Sequence, residues 1–266
     1  KVNQLLNTKI NIFAKKSLGQ NFIHDQNFLE KLINNIQFEK FSDLVEVGPG
    51  KGALTDKLLE RSFNKIFLIE KDDRLIEYLK KKYLNERRVN IIHSDALKID
   101  YTKITKSDKV TIIGNLPFNI SSQLLVKWLS SNKWPPFYSK MYLMFQYELG
   151  ERIISEKDSK KYGRISVLSQ SRCDISKVLI APSSIFNPKP KVNGIVLEFI
   201  PNNNSKDLNF ENLSKILEIA FRNRRKKIKN CMREYSSFFN NWEKIKDYRP
   251  ENLGIEEYCE LAKKFN

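Results

Sequence analysis

The sequence predicts an α/β protein: a large open-sheet domain over 1–200, followed by a small all-helical domain over 201–266. Three observations carry this. Apolar runs of strand length recur at Asp43–Val47, Lys65–Glu70, Asn90–Asp95 and Val110–Ile113, alternating with helical patterns. Each run ends in a polar signal, in turn a glycine-rich turn, Glu70, Asp95 and Asn115. Strand ends are where open α/β sheets place their ligands. Finally, Pro201-Asn202-Asn203-Asn204-Ser205 is a polar linker, and apolar residues beyond it recur at helical spacing.

The first element is an N-terminal arm through Lys16-Ser17-Leu18-Gly19-Gln20-Asn21-Phe22-Ile23-His24-Asp25. Gly19 breaks any helix, and Asp25 is placed to cap a helix over about 26–36. The run Asp43–Val47 then enters Gly48-Pro49-Gly50-Lys51-Gly52 and a second helix. Gly48 and Gly50 let the backbone approach a ligand closely. The spacing is neither the dinucleotide fingerprint nor a phosphate loop. Glu70 follows Gly50 at the spacing at which a carboxylate bonds ribose hydroxyls. Asp95, followed by Ala96, offers an acceptor to an adenine amine.

The fourth run leads into Gly114-Asn115-Leu116-Pro117-Phe118-Asn119-Ile120-Ser121. Pro117 turns the chain out of the sheet. An amide, a backbone carbonyl and a ring are then grouped at a strand end, a set suited to an exocyclic amine on a stacked base. A helix is expected over Ser122–Ser130, a fifth strand over Lys140–Gln146, and helices over Tyr147–Ile154 and Ile165–Ser171. Two last strands follow, Asp174–Ile180 and Gly194–Phe199. Between them lies the stiff loop Ile185–Val192, in which Phe186, Lys189 and Lys191 read as the wall of a base pocket.

The chain carries 47 Lys and Arg against 31 Asp and Glu, a net charge of +16, and so predicts a polyanionic partner. The densest basic run, Arg222-Asn223-Arg224-Arg225-Lys226-Lys227-Ile228-Lys229, is expected to spread cations around a helix and bind phosphates. Residues 201–266 hold 14 basic and 10 acidic residues, so the larger domain carries most of the excess. Three Cys without a Cys-x-x-Cys pattern argue for a reducing compartment and against structural zinc. Two His make a histidine-rich metal site implausible, and no metal is expected. No apolar run of membrane-spanning length occurs, and residues 1–13 lack the core of a signal peptide. A cytoplasmic monomer is expected.

Five motifs in this order resemble one family. They are Lys16–Phe22, Glu46–Gly50, Asn115–Ser121, Phe186-x-Pro188-x-Pro190-Lys191-Val192 and Phe221-x-x-Arg224-Arg225-Lys226. The chain is similar over nearly its whole length to the KsgA/Erm-type rRNA adenine dimethyltransferases. Leu116 and the ending Arg249–Leu253 favour the KsgA branch. The resemblance implies a class I methyltransferase fold, Rossmann-like, with a seven-stranded, mostly parallel sheet whose last strand is antiparallel. It implies S-adenosylmethionine as cofactor, with Asn21 and Ile23 at the methionine end, Gly48 and Gly50 in the loop, Glu70 at the ribose, Asp95 and Ala96 at the adenine, and Asn115 at the reactive centre. Asn115, Leu116 and Phe118 would hold the target base. The implied substrate is a pair of adjacent adenines in the 3′-terminal hairpin loop of small-subunit (16S) rRNA, each dimethylated on its amine. Lys16, Phe186, Lys189, Lys191, Arg222, Arg224, Arg225, Lys226 and Lys227 would face that RNA. Phe118 stands where most relatives have Tyr; the ring is kept and a hydroxyl lost. Two rivals share the scaffold: a resistance-type enzyme of large-subunit rRNA, and a non-enzymatic rRNA-binding assembly or transcription factor.

Overall fold

A computed structural model describes residues 12–203, 206–239 and 242–265, without the side chains of Lys16 and Phe238. Among the described residues nine strands form in chain order: β1 (Phe22–Ile23), β2 (Asp43–Val47), β3 (Ile66–Glu70), β4 (Val89–His93), β5 (Val110–Asn115), β6 (Lys140–Gln146), β7 (Cys173–Ala181), β8 (Phe186–Asn187) and β9 (Gly194–Pro201). Seven of them make one sheet in the order β4-β3-β2-β5-β6-β9-β7. Neighbours from β4 to β6 are parallel, and β9 alone runs against both of its neighbours. The strand order reverses between β2 and β5, which opens a crevice beyond their C-terminal ends.

Ten α-helices accompany the strands among the described residues: α1 (Gln26–Asn35), α2 (Ala53–Leu59), α3 (Asp73–Lys82), α4 (Ser121–Leu129), α5 (Tyr147–Ile153), α6 (Arg164–Gln170), α7 (Phe210–Arg222), α8 (Ile228–Cys231), α9 (Trp242–Ile245) and α10 (Ile255–Lys264). Strand β2 is buried along its length because successive side chains enter opposite layers. Leu44 joins a layer with Phe28, Leu29, Leu54 and Leu58 of α1 and α2. Val45 and Val47 join a layer with Leu124, Leu125 and Trp128 of α4. The second layer continues without a break into Leu213, Ile216 and Leu217 of α7 and Tyr258 of α10. The apolar stripe of α7 thus lies on the sheet domain rather than in a core of its own.

Asp25 caps α1 as expected, accepting from Phe28 N at 2.8 Å. Helix α3 is an element the sequence reading did not name, although its Asp72 cap precedes Leu75, Ile76 and Leu79 at helical spacing. The loop at 185–192 also contains a strand. Its Phe186 and Asn187 pair antiparallel with Ile23 and Phe22, tying the N-terminal arm to the far end of the domain. The basic run departs from expectation. Helix α7 stops at Arg222, residues 223–227 form a turn, and α8 begins at Ile228. Arg222, Arg224 and Arg225 therefore stand at the C-terminus of α7, where the dipole favours them, rather than around one helix, while Lys227 and Lys229 stand at the start of α8.

Candidate active site

Four strand ends and the N-terminal arm enclose a cavity of about 330 Å³, within the range of small-molecule sites. Its lining includes Asn21 and Ile23 from the arm, Gly48 and Gly50 after β2, Glu70 after β3, Asp95 and Ala96 after β4, and Asn115 after β5. All eight residues assigned to a cofactor by sequence are thus brought together.

The turn after β2 is held open for a ligand. Gly48 and Gly50 both have positive φ, at 71° and 57°, which other residues adopt only with strain. A Cβ on Gly50 would stand 2.8 Å from the Phe22 ring, so the arm and the turn meet only because that atom is missing. From outside, α3 bolts the turn in place: Tyr83 Oη donates to Gly52 O at 3.0 Å and Lys82 Nζ to Lys51 O at 2.9 Å. Neither Lys82 nor Tyr83 carried a sequence signal for this role.

Glu70 is 8% exposed. Its Oε1 accepts from the N–H groups of Lys71 and Asp72, at 2.8 and 2.9 Å. Burial nevertheless raises its pKa, partly offset by those backbone donors. Asp95 accepts from Leu97 N at 3.0 Å and from Lys71 Nζ at 2.7 Å. The Lys71 ammonium is the main reason its carboxyl sits below the usual range. Glu46, a charge inside an apolar strand, also lines the cavity. It is 2% exposed, and burial pushes it up to about 7, with Thr55 Oγ1 donating to it at 2.6 Å. An acid in the middle of a buried strand was its signal in the sequence.

At the end of β5, Asn115 Nδ2 donates to the Asn21 carbonyl at 2.8 Å. Only the amide NH2 can donate, so this contact fixes which way the amide points and leaves Oδ1 as an acceptor. Leu116 is 1% exposed, which anchors the backbone between Asn115 and Pro117. Phe118 is half-buried and meets Phe186 edge-on, ring centroids 6.5 Å apart. Phe186 itself is 2% exposed. It backs Phe118 from within, and the wall role read for it is that of a support rather than a surface for RNA.

The residues assigned to RNA divide. Lys189, Lys191, Arg222, Arg225, Lys226 and Lys227 are exposed. Lys227 already pairs with Asp247 at 3.0 Å. Arg224 is a correction. Its Nε donates to Glu251 at 2.7 Å, and Nη2 donates to the carbonyls of Lys160 and Ser159 at 2.5 and 3.3 Å. It clamps the C-terminal helices to the loop before α6 instead of standing free. The acids that neutralise this run come from 247 and 251, which local sequence could not pair with it. The side chain of Lys16 lies outside the described residues. Among the described residues no cluster of three potential metal ligands occurs, and no helix is long and apolar enough to cross a membrane.

The residues fit S-adenosylmethionine: a turn of positive-φ glycines whose backbone borders the cavity, a fixed strand-end carboxylate, and a second carboxylate one strand further out. The chain over residues 12–266 matches the model of the ribosomal RNA adenine dimethylase family. It is 37% identical over 263 residues to ribosomal RNA small subunit methyltransferase A of Pelagibacter ubique, covering 95% of this chain and 97% of that protein. The structure resembles a dimethyladenosine transferase from Plasmodium falciparum with a TM-score of 0.78 and 26% identity, over 92% of this chain and 97% of the other. It shares its fold with the 23S rRNA methyltransferase ErmE at a TM-score of 0.62 and 19% identity, over 91% and 99% of the two chains. The seven-stranded sheet with β9 reversed is thus the Rossmann-like methyltransferase fold, and the chain belongs to the ribosomal RNA adenine dimethylase family.

Proposed function

We propose that this protein uses S-adenosylmethionine to dimethylate the amines of two adjacent adenines in the 3′-terminal hairpin loop of small-subunit rRNA. The observation that carries the reading is the Asn115 amide, oriented by the Asn21 carbonyl in the lining of the cavity. The relative in Pelagibacter ubique, named for the small subunit, supports that substrate over a large-subunit one.

When bound, the cofactor supplies an electrophilic methyl group. The chain's own residues supply position. The Glu70 carboxylate would hold the cofactor's ribose and the Asp95 carboxylate its adenine amine. Asn115 Oδ1 and the Leu116 carbonyl would accept the two hydrogens of the target amine and so orient its nitrogen for attack. Alignment of this kind removes up to about 7–11 kcal/mol of a barrier. Phe118 stacks on the base, worth about 1–3 kcal/mol. The nitrogen that receives the methyl group becomes cationic and acidic, and loses its proton to water, so no side chain need act as base. Residues 201–266 serve as an RNA-binding unit, with Arg222, Arg225 and Lys226 joining Lys189 and Lys191 on phosphates. The work is that of a cytoplasmic protein acting on the assembling small subunit.

The deciding experiment offers labelled S-adenosylmethionine with small subunits lacking the modification, beside large subunits. Dimethyladenosine from the small subunit alone is the expected product. Label on the large subunit would move the protein to the resistance-type reading. RNA binding without label would leave it a non-enzymatic factor.

A further inference from the structure

The carboxylate of Asp72 is 1% exposed, although it belongs to a residue beside the cavity rather than in its lining. A buried carboxylate is costly unless it is fully bonded, and its partners show what that bonding accomplishes. One is the expected helix cap, Arg74 N at 3.2 Å. Arg74 Nε and Nη2 add bonds at 3.0 and 2.6 Å, and they hold the carboxyl well below the usual range. The remaining partners come from the N-terminal arm. Gln20 Nε2 donates to Oδ2 at 3.1 Å, and Lys15 Nζ stands 3.6 Å from Oδ1. Gln20 Oε1 in turn accepts from Lys15 N at 2.8 Å, and Arg74 Nη1 donates to Phe13 O at 3.3 Å. Capping α3 requires none of these arm contacts.

Two further contacts connect the same residue to the site. The Asp72 N–H donates to Glu70 Oε1 at 2.9 Å. The residue after Gln20 is Asn21, whose carbonyl orients Asn115. The arm from Ser17 to His24 walls the cavity. We propose that Asp72 is a positioning residue, a latch that holds this arm closed over the cofactor cavity while its N–H presents the Glu70 carboxylate. The proposal rests on the reading of the cavity as the S-adenosylmethionine site. Closure of the arm is then favourable only when Gln20 reaches the Asp72 carboxylate. Cofactor that enters gains the arm as a wall and has to displace it to leave.

The test compares full-length wild type with Gln20→Leu, which leaves the α3 cap intact, and Asp72→Asn, which keeps a capping oxygen but not the charge. S-adenosylhomocysteine affinity is measured by calorimetry. Trypsin cleavage after Lys15 or Lys16, read by mass spectrometry, reports the arm without ligand. Both variants are expected to bind about tenfold more weakly and to be cut faster without ligand. In turnover, KM for S-adenosylmethionine should rise about tenfold with kcat changed less. A variant with lowered Tm but unchanged affinity and cleavage would make Asp72 a helix cap only and overturn the latch. Wild type that fails to bind S-adenosylhomocysteine would instead overturn the cofactor reading, and the latch with it.

Discussion

The Asn115 side-chain NH2 and the Asn21 backbone carbonyl are 2.8 Å apart and 94 residues apart in the chain. One contact thus sets the orientation of the amide proposed to meet the target amine. Asn115→Ala should lower the methylation rate about 10²–10³-fold, as loss of a single positioned polar group does elsewhere, with RNA affinity within about twofold of wild type by the same reasoning. Asn115→Asp keeps the shape but puts an oxygen against the Asn21 carbonyl, and should fare no better. Single-turnover kinetics with titrated RNA separates the two quantities; equal losses in rate and affinity would remove the positioning role.

The half-buried ring of Phe118, backed by Phe186, predicts a graded series. Phe118→Ala should cost about 1–3 kcal/mol in binding of the reactive RNA complex. Phe118→Tyr should stay near wild type, because the ring is what stacks. Phe186→Leu should reproduce part of the alanine defect without touching RNA. Methylation rates across the three variants would reveal whether support and stacking are coupled.

Glu46 predicts a pH dependence of stability. Its folded pKa is raised to about 7 from the ordinary 4.5. Its contribution is therefore fully present below about pH 4.5 and is lost as pH rises through about 7. The loss amounts to about 3 kcal/mol. Glu46→Gln can still accept from Thr55 and carries no charge, so urea unfolding across pH 5–8 should show a flatter profile and greater stability at pH 8. An unchanged profile would mean that the acid ionises without cost.

Arg224 and Arg225 adjoin in sequence and should behave oppositely. Arg224→Ala breaks the clamp to Glu251 and the 159–160 carbonyls, and should cost about 1–3 kcal/mol of stability while the salt dependence of RNA binding keeps its slope. Arg225→Ala should leave Tm unchanged and flatten the slope of log K against log salt by about 0.7 per lost phosphate contact. Thermal melts and binding at several salt concentrations test both together.

Much of the site was legible because each piece is announced locally. Gly48, Glu70, Asp95 and Asn115 all sit where an apolar run stops, and strand ends share one edge of a parallel sheet. Even Asp25 declared its cap. What was not legible depends on pairs distant in sequence. Nothing near Arg224 names Glu251 as its partner, and nothing near Phe186 shows that Phe22 and Ile23 will pair with its strand. A basic run read alone looks like a free surface; only the folded chain shows which cations are already satisfied. Helix α3 was missed for another reason, since its many lysines diluted an apolar stripe of three residues.

The two-residue ribbon of β1 and β8 has a bearing on how the protein comes to life during translation. The arm that walls the cavity is made before the six intervening strands, and its partner strand emerges only after them. Local contacts form quickly, whereas pairings between distant segments wait on loop closure. A nascent chain can thus carry the glycine turn, both acids and the Asn115 loop and still lack a closed pocket. The wall that β1 and β8 build together therefore needs the chain through Asn187, and the pocket is among the last features of the sheet domain to be completed.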